Sequence, residues 1–119
     1  MTTQEVANKW HKMCQEGQNL ECVNELYAEN VVSQEMPGMP NEMVAGKANV
    51  LNKSKEWYAN VEEFHSGEIS EPMVVGNHFT SKMKMDVTFK DQGRTQMEEV
   101  CVFKVENGQI TNEQFFYDM

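Results

Sequence analysis

Long hydrophobic runs and basic residues are scarce in this sequence, and both shortages limit what it can bind. No segment reaches the roughly 18 consecutive apolar residues of a membrane span, and the start, MTTQEVANKW, lacks the basic and apolar regions of a signal peptide. Ten basic against nineteen acidic side chains give a net charge of −9, which works against binding to nucleic-acid phosphate or anionic lipid. We therefore expect a cytoplasmic protein that binds neither nucleic acid nor membranes.

Motifs for metals, cofactors and covalent catalysis are also missing. The three cysteines, Cys14, Cys22 and Cys101, are odd in number and lack metal-ligand spacing, so neither a disulfide framework nor a zinc site is expected. The sequence has no glycine-rich phosphate loop and no Gly-x-Ser-x-Gly motif. We expect a site that uses no metal and no cofactor.

The first half of the chain has helical periodicity. Thr2 and Glu5 form a capping box that begins a first helix. Apolar spacing predicts a short second helix after Asn19 and a third helix after Gly46. A chain of 119 residues is long enough for one core and too short for two ordinary domains, so residues 1–119 are expected to form a single domain.

The second half of the chain alternates between apolar and polar residues. This period of two predicts strands at 61–69, 79–89, 97–105 and 110–117. Asn107-Gly108 is a strong signal for a tight hairpin turn between the last two strands. Helices followed by a mostly antiparallel sheet predict an α+β fold, with the N-terminal helices packed on the sheet.

A glutamate stands among apolar residues when these strands are paired. We pair them across a three-residue loop at 91–93 and the two-residue turn at 107–108. Glu99 then lies between Met85 and Phe116. Loss of hydration without a facing cation is expected to raise the pKa of this carboxyl, which prepares it for proton transfer. The apolar residues of this face that we expect to contact a substrate are Met83, Met85, Met97 and Phe116.

The opposite face of the predicted sheet also carries acidic groups. The same pairing sets Asp86 opposite Glu98, a like-charge pair that costs stability unless a polar network or a partner subunit compensates. A bulge in strands of this length would exchange the two faces. Both Glu98 and Glu99 therefore remain candidates for the inward carboxyl.

A family likeness is carried by three segments: LYAENVVSQE, EEFHSGEISEPMVVGNHF and KMDVTFKDQGRTQMEEVCVFKVENGQITNEQFFYD. With these segments the sequence resembles the SnoaL-like, polyketide cyclase-like family of the nuclear transport factor 2-like (cystatin-like) α+β superfamily. The resemblance implies a cone of helices on a curved sheet with a small-molecule pocket between them. It also implies, for many members, a homodimer formed through the outer face of the sheet.

Two functional hypotheses are compatible with this resemblance. The superfamily includes polyketide cyclases and ketosteroid isomerases, whose pockets hold acid–base carboxyls, and also non-catalytic binding domains. In the first hypothesis the chain is a cofactor-free isomerase, cyclase or dehydratase, with Glu99 as the base and His65 or Asp86 donating or positioning a proton. In the second it is a dimeric module that binds a small apolar or carbonyl-bearing ligand without changing it.

Four further residues are candidates for the site, and for each of them a purely structural or solvent-exposed position is the alternative. His65 shares strand parity with apolar positions, and the resemblance places it inside the cone, although a hydrogen-bonded core histidine fits the same pattern. Glu35, beside the loop at 36–40, would face the pocket mouth or solvent. Trp57 would line the pocket or belong to the core. Tyr117 would orient a carboxylate or anchor the last strand.

Overall fold

The helices of the computed structural model, which describes residues 1–118, begin where the sequence predicts. They are α1 (Thr3–Gln15), α2 (Asn19–Leu26) and α3 (Lys47–Ala59). The capping box is present, because the Thr2 hydroxyl accepts a hydrogen bond from the Glu5 amide and the Glu5 carboxylate accepts one from the Thr2 amide. Among residues 1–118, no helix is long and apolar enough to cross a membrane.

The strands within residues 1–118 form one seven-stranded sheet. They are β1 (Tyr27–Gln34), β2 (Met43–Ala45), β3 (Val61–Ile69), β4 (Met73–Val75), β5 (His78–Phe89), β6 (Gly93–Glu106) and β7 (Gln109–Phe116). Their order is β2-β1-β7-β6-β5-β3, with β4 also paired to β5, and only β1 and β7 run parallel. The predicted α+β class, helices first and a mostly antiparallel sheet after them, is confirmed.

The helices cover one face of the sheet, which we call the inner face. Trp10 of α1 packs there against Phe79 of β5 and Phe103 of β6, with ring centroids 5.5 and 4.7 Å away. The two phenylalanine rings stack on each other at 4.6 Å. All three side chains are buried, and aromatic pairs at such distances contribute about 0.5–1.5 kcal/mol each beyond their burial. This cluster fixes which way the long strands face.

The β5–β6 hairpin has a different register from the predicted one but the same faces. Phe89 pairs with Gly93 and Met83 pairs with Glu99, a shift of two residues from the expected pairing. Because side chains alternate with a period of two, a two-residue shift leaves each side chain on its predicted face. Glu99, and not Glu98, therefore points to the inner face.

The predicted like-charge pair of Asp86 and Glu98 is wrong, because the two-residue shift places them in different rows of the sheet. Asp86 instead accepts two hydrogen bonds from the Arg94 guanidinium, at 3.0 and 2.8 Å. Glu98 forms an ion pair with Lys82 at 2.7 Å. Each of these two acidic side chains is therefore paired with a basic side chain on the outer face.

A bulge at Thr111 reverses the faces of β7. The pairing of β7 with β6 shifts there by one residue, and a one-residue shift turns each later side chain to the other face. Glu113 consequently lies on the inner face, and Phe116 lies on the outer face with 43% of its surface exposed. The prediction that Phe116 lies beside Glu99 is wrong for this reason.

Two register shifts in β3 place His65 outside the interior. The pairing of β3 with β5 shifts between Val61 and Glu63 and again between Phe64 and Ser66, so His65 does not share the parity of Val61 and Ile69. Its Nε2 atom lies 2.7 Å from the Thr88 hydroxyl, on the outer face. The expected interior position of His65 is therefore wrong, and neither it nor Asp86 reaches Glu99.

Candidate functional site

Glu99 is a half-buried carboxyl on the inner face of β6. Its direct neighbour across the sheet is Met83, and the Cys101 thiol lies 3.8 Å from its Oε1 atom. Burial and, second, the nearby carboxylate of Glu35 raise the pKa of Glu99 to about 7. A carboxyl with this pKa is divided between its acid and base forms at neutral pH, as general acid–base catalysis requires.

Glu35, just after β1, is held by two donors. The Tyr117 hydroxyl donates to its Oε1 atom at 2.8 Å, and the Lys53 ammonium donates to its Oε2 atom at 2.7 Å. Burial and the hydrogen bond to Glu35 raise the pKa of Tyr117 to about 12. The phenol therefore keeps its proton at neutral pH.

Lys53 also connects Glu35 to a second, deeper carboxyl. Its ammonium donates to the Ser33 hydroxyl at 2.9 Å, and Ser33 donates to Glu113 at 2.6 Å. The hydroxyl of the buried Tyr27 donates to the other oxygen of Glu113. Burial raises the pKa of Glu113, while the hydrogen bonds from Ser33 and Tyr27 oppose that rise.

These contacts form one hydrogen-bonded chain, which we call the interior chain: Tyr27, Glu113, Ser33, Lys53, Glu35 and Tyr117. Both of its carboxyls have hydrogen-bond donors. Glu99 lies beside the chain, and within residues 1–118 the one group that donates to it is the weak Cys101 thiol. Glu99 is thus the carboxyl of this region that a ligand can engage without displacing a protein partner.

An open cleft of about 600 Å³ adjoins this region. It lies between the end of α1, the end of α3 and strands β3 and β5, and its volume is in the range of small-molecule sites. Its apolar wall is formed by Trp57, Tyr58, Phe64, Ile69, Met83 and Met85. Glu99 is not one of the residues that line the cleft, but its direct neighbour across the sheet, Met83, belongs to the cleft wall.

The Phe64 side of this cleft depends on a glycine. A Cβ atom added to Gly67 would lie 2.7 Å from the Cζ atom of Phe64. The ring of Phe64 therefore lies across Gly67, and a larger residue at that position would displace the ring. Both residues line the cleft, so this substitution would alter the cleft wall at strand β3.

No metal site is evident in the part of the chain that the structure describes, since residues 1–118 contain no group of three histidine, cysteine, aspartate or glutamate side chains placed to hold an ion. The polar groups that the hydrogen bonds gather at the inner face include the carboxyls, Lys53 and the two tyrosines.

A family profile described as a SnoaL-like domain matches residues 1–117. The chain belongs to the SnoaL-like family. The solved structure of a candidate SnoaL-like polyketide cyclase (carbohydrate phosphatase) of Mesorhizobium loti is 35% identical to it, with a TM-score of 0.94 over 98% of this chain and 100% of that one. No curated protein matches the sequence.

Two more distant structures share the fold of this SnoaL-like chain. One is a ketosteroid isomerase-like protein of Catenulispora acidiphila in complex with trimethylamine, at 16% identity and a TM-score of 0.76 over 97% of this chain and 86% of that one. The other is an epoxide hydrolase of M. tuberculosis, at 16% identity and a TM-score of 0.72 over 98% and 82%. At this identity the likeness concerns the fold alone.

The structure brings together most of the predicted site residues of the SnoaL-like chain. Glu99, Glu35 and Tyr117 meet at the inner face. Trp57, Met83 and Met85 line the cleft, and Met97 lies on the inner face opposite Met85. The three that lie elsewhere, on the outer face, are His65, Asp86 and Phe116.

Four members of the interior chain were not predicted, although the spacing of apolar residues in the sequence places two of them on a buried face. Lys53 lies three residues after Val50 and four before Trp57, which is helical spacing on the buried face. Ser33 alternates with the buried Val31 along β1. Tyr27 lies where α2 passes into β1, and the bulge in β7 hid Glu113, so neither could be found from periodicity.

Proposed function

We propose that this SnoaL-like chain is an enzyme that transfers a proton on a small molecule by acid–base catalysis, without a cofactor, and that Glu99 is its base. The observation that carries the proposal is the Glu99 carboxyl with a pKa of about 7, beside the cleft wall and free of a strong protein donor. A base of this strength is ionised and reactive near neutral pH.

The cleft indicates the substrate class. Its wall is largely aromatic and methionine side chains, which suit an apolar body and adapt to its shape. A carbonyl on that body would make a neighbouring C–H acidic enough for a carboxylate to remove its proton. The relative from Mesorhizobium loti, named as a candidate polyketide cyclase, supports a carbonyl-bearing substrate.

In the proposed reaction, ionised Glu99 removes a proton from the carbon next to the carbonyl and the electron pair moves to the carbonyl oxygen. Tyr117, whose phenol keeps its proton, can donate to that oxygen if its hydrogen bond to Glu35 is given up when the substrate binds. Protonated Glu99 then returns its proton to a different carbon, which is an isomerisation. In a cyclisation the carbon that lost its proton instead attacks a second carbonyl of the substrate, and Glu99 protonates the alkoxide formed there. In a dehydration a hydroxyl on the next carbon leaves, and Glu99 protonates it to water.

Hydrogen exchange in D2O tests the proposal without knowledge of the natural substrate. A panel of small apolar ketones is incubated with the protein, and NMR follows deuterium entering the carbon next to the carbonyl. Glu99→Gln should slow this exchange by about 10²–10⁴-fold. The matched control is Glu98→Gln, which changes the adjacent but outward and exposed carboxyl and should leave exchange unchanged.

The pH dependence gives a second readout. Since the base must be ionised, exchange should increase as the pH rises through the pKa of Glu99, about 7, and level off above it. A ketone that binds but exchanges equally fast with the wild type and Glu99→Gln would remove Glu99 from the mechanism. Binding without any exchange across the panel would instead favour the alternative, a non-catalytic small-ligand module.

We also propose that two copies of the chain associate through the outer face of the sheet. Val100 and Phe116 are direct neighbours on that face, 44% and 43% exposed, and adjoining exposed apolar residues are typical of interfaces. Sedimentation velocity should give twice the monomer mass for the wild type and the monomer mass for Phe116→Asp. A monomeric wild type at micromolar concentration would exclude this dimer.

A further inference from the structure

The outer face carries a hydroxyl, an imidazole and a carboxylate in a row. The His65 Nε2 atom lies 2.7 Å from the Thr88 hydroxyl, and its Nδ1 atom lies 2.9 Å from a carboxylate oxygen of Glu63. Glu63 and Thr88 are direct partners across β3 and β5. The register shift between Val61 and Glu63 places Glu63 and His65 on this face, and the shift between Phe64 and Ser66 restores the original parity after them, so the row depends on the two irregularities in β3.

The hydrogen-bond pattern assigns the proton of the imidazole. An ionised Glu63 can only accept, so Nδ1 of His65 carries the hydrogen. In the neutral ring Nε2 is then an acceptor, and the Thr88 hydroxyl donates to it. A hydroxyl that donates to a histidine, itself oriented by a third group, is the arrangement that activates an oxygen nucleophile.

An arginine ion pair lies beside this row. Arg94 is the direct partner of Thr88 on β6, and its guanidinium donates two hydrogen bonds to Asp86, at 3.0 and 2.8 Å. The hydrogen bonds from Arg94 hold the pKa of Asp86 below its usual range, so the pair stays charged. A guanidinium has five N–H groups and two are used here, so Arg94 retains donors for an oxygen that becomes negative during attack by Thr88.

We propose that Thr88, His65 and Glu63 form a second catalytic centre, independent of Glu99, which transfers the acyl group of small carboxylic esters to Thr88 and then to water. The Thr88 oxygen attacks the ester carbonyl while His65 takes the hydroxyl proton. The bond to the leaving alkoxide then breaks, and His65 gives that oxygen the proton. In the second half a water molecule attacks the acyl-threonine, His65 again moves the proton, and Thr88 and a carboxylic acid are released.

The surroundings restrict the substrate to small, reactive esters. Thr88 and His65 are half-buried, whereas Glu63 and Arg94 are largely exposed, so this centre has an open surface and no deep pocket. Six residues of β6 separate Arg94 from Val100, about 20 Å along the strand. The centre therefore lies well away from the apolar pair proposed as the dimer contact.

Acetylation by p-nitrophenyl acetate tests this centre. Release of p-nitrophenol is followed by absorbance, and the site of acetylation is found by mass spectrometry of peptides from the wild type, which needs no variant. One acetyl group per chain on Thr88 is expected. Thr88→Val should abolish it, and His65→Gln, which removes the base, should slow it by about 10²–10⁴-fold.

Thr80→Val is the matched control, because Thr80 is also half-buried on the outer face of β5 but donates to the carbonyl of Cys101 and not to a histidine. It should react as the wild type does. An unmodified Thr88 peptide in the wild type, or equal p-nitrophenol release from the wild type and Thr88→Val, would overturn the proposal. The three side chains would then serve only to fix the bulge in β3.

Discussion

Replacing Glu99 with glutamine should stabilise the folded protein above neutral pH. In the folded chain the pKa of Glu99 is about 7, against an ordinary value of 4.5. Between these values the unfolded chain has already lost the proton that the folded chain keeps, so the folded state binds more protons and its stability falls as the pH rises. Below about pH 4.5 both states are protonated and the cost disappears, and above about pH 7 it is complete.

The size of the effect follows from the two pKa values. A difference of about 2.5 pH units, at about 1.36 kcal/mol per unit, amounts to about 3 kcal/mol. Glutamine has nearly the same shape and no charge, so the variant should avoid most of this cost. The expected gain in the free energy of unfolding is up to about 3 kcal/mol at about pH 8 and less than about 1 kcal/mol at about pH 4.5.

Urea denaturation of the wild type and Glu99→Gln at both pH values measures this gain. Glu98→Gln is the control on the adjacent residue, where the hydrogen bond and charge of Lys82 lower the pKa of the carboxyl. Loss of that exposed ion pair should change stability little, without a gain at high pH. If the Glu99→Gln variant is no more stable than the wild type at pH 8, the inference that burial destabilises the ionised Glu99 carboxyl is wrong.

Three further perturbations test the neighbouring structure. Glu35→Gln removes the carboxylate that, after burial, contributes most to raising the pKa of Glu99, so that pKa, followed by carbon NMR of the Glu99 carboxyl, should fall. No change would mean that the two groups are not coupled. Tyr27→Phe leaves the buried Glu113 short of one donor and should cost about 1–3 kcal/mol in urea denaturation. Trp10→Ala removes the aromatic centre of the core and should cost about 3–5 kcal/mol in the same assay.

The fold could be predicted because its elements repeat one pattern over many residues. The capping box at Thr2 and the alternation in β5 and β6 each rest on local physical preferences that the tertiary structure does not override. The face of Glu99 was also predictable, although the register was wrong by two residues, because an even shift conserves the face. Elements of three residues, such as β2 and β4, are too short to show a period.

Much of the site could not be predicted because register shifts in β3 and β7 interrupt the alternation. A single extra residue at Thr111 moved Glu113 inward and Phe116 outward, and two shifts in β3, before Glu63 and after Phe64, placed His65 on the outer face. A bulge depends on how two paired strands twist against each other, and this cannot be predicted from the local periodicity of one strand. Lys53 was missed for another reason. Its helical spacing placed it on the buried face, but lysine is rarely buried unless it is paired with a carboxylate, and the partner Glu35 is distant in sequence.

The stability cost of Glu99 bears on its function. About 3 kcal/mol is a large part of the roughly 5–15 kcal/mol that separates a folded domain from its unfolded chain, and a glutamine at this position would avoid it. A group that lowers stability this much usually has a use that requires it. If Glu99→Gln both stabilises the fold and stops deuterium exchange into a bound ketone, the two effects have one origin. The buried carboxylate lacks strong hydrogen-bond donors, which destabilises its ionised form and makes it a better base. If it stabilises the fold and exchange continues, the base lies elsewhere on the inner face, and Glu35 is the next group to replace.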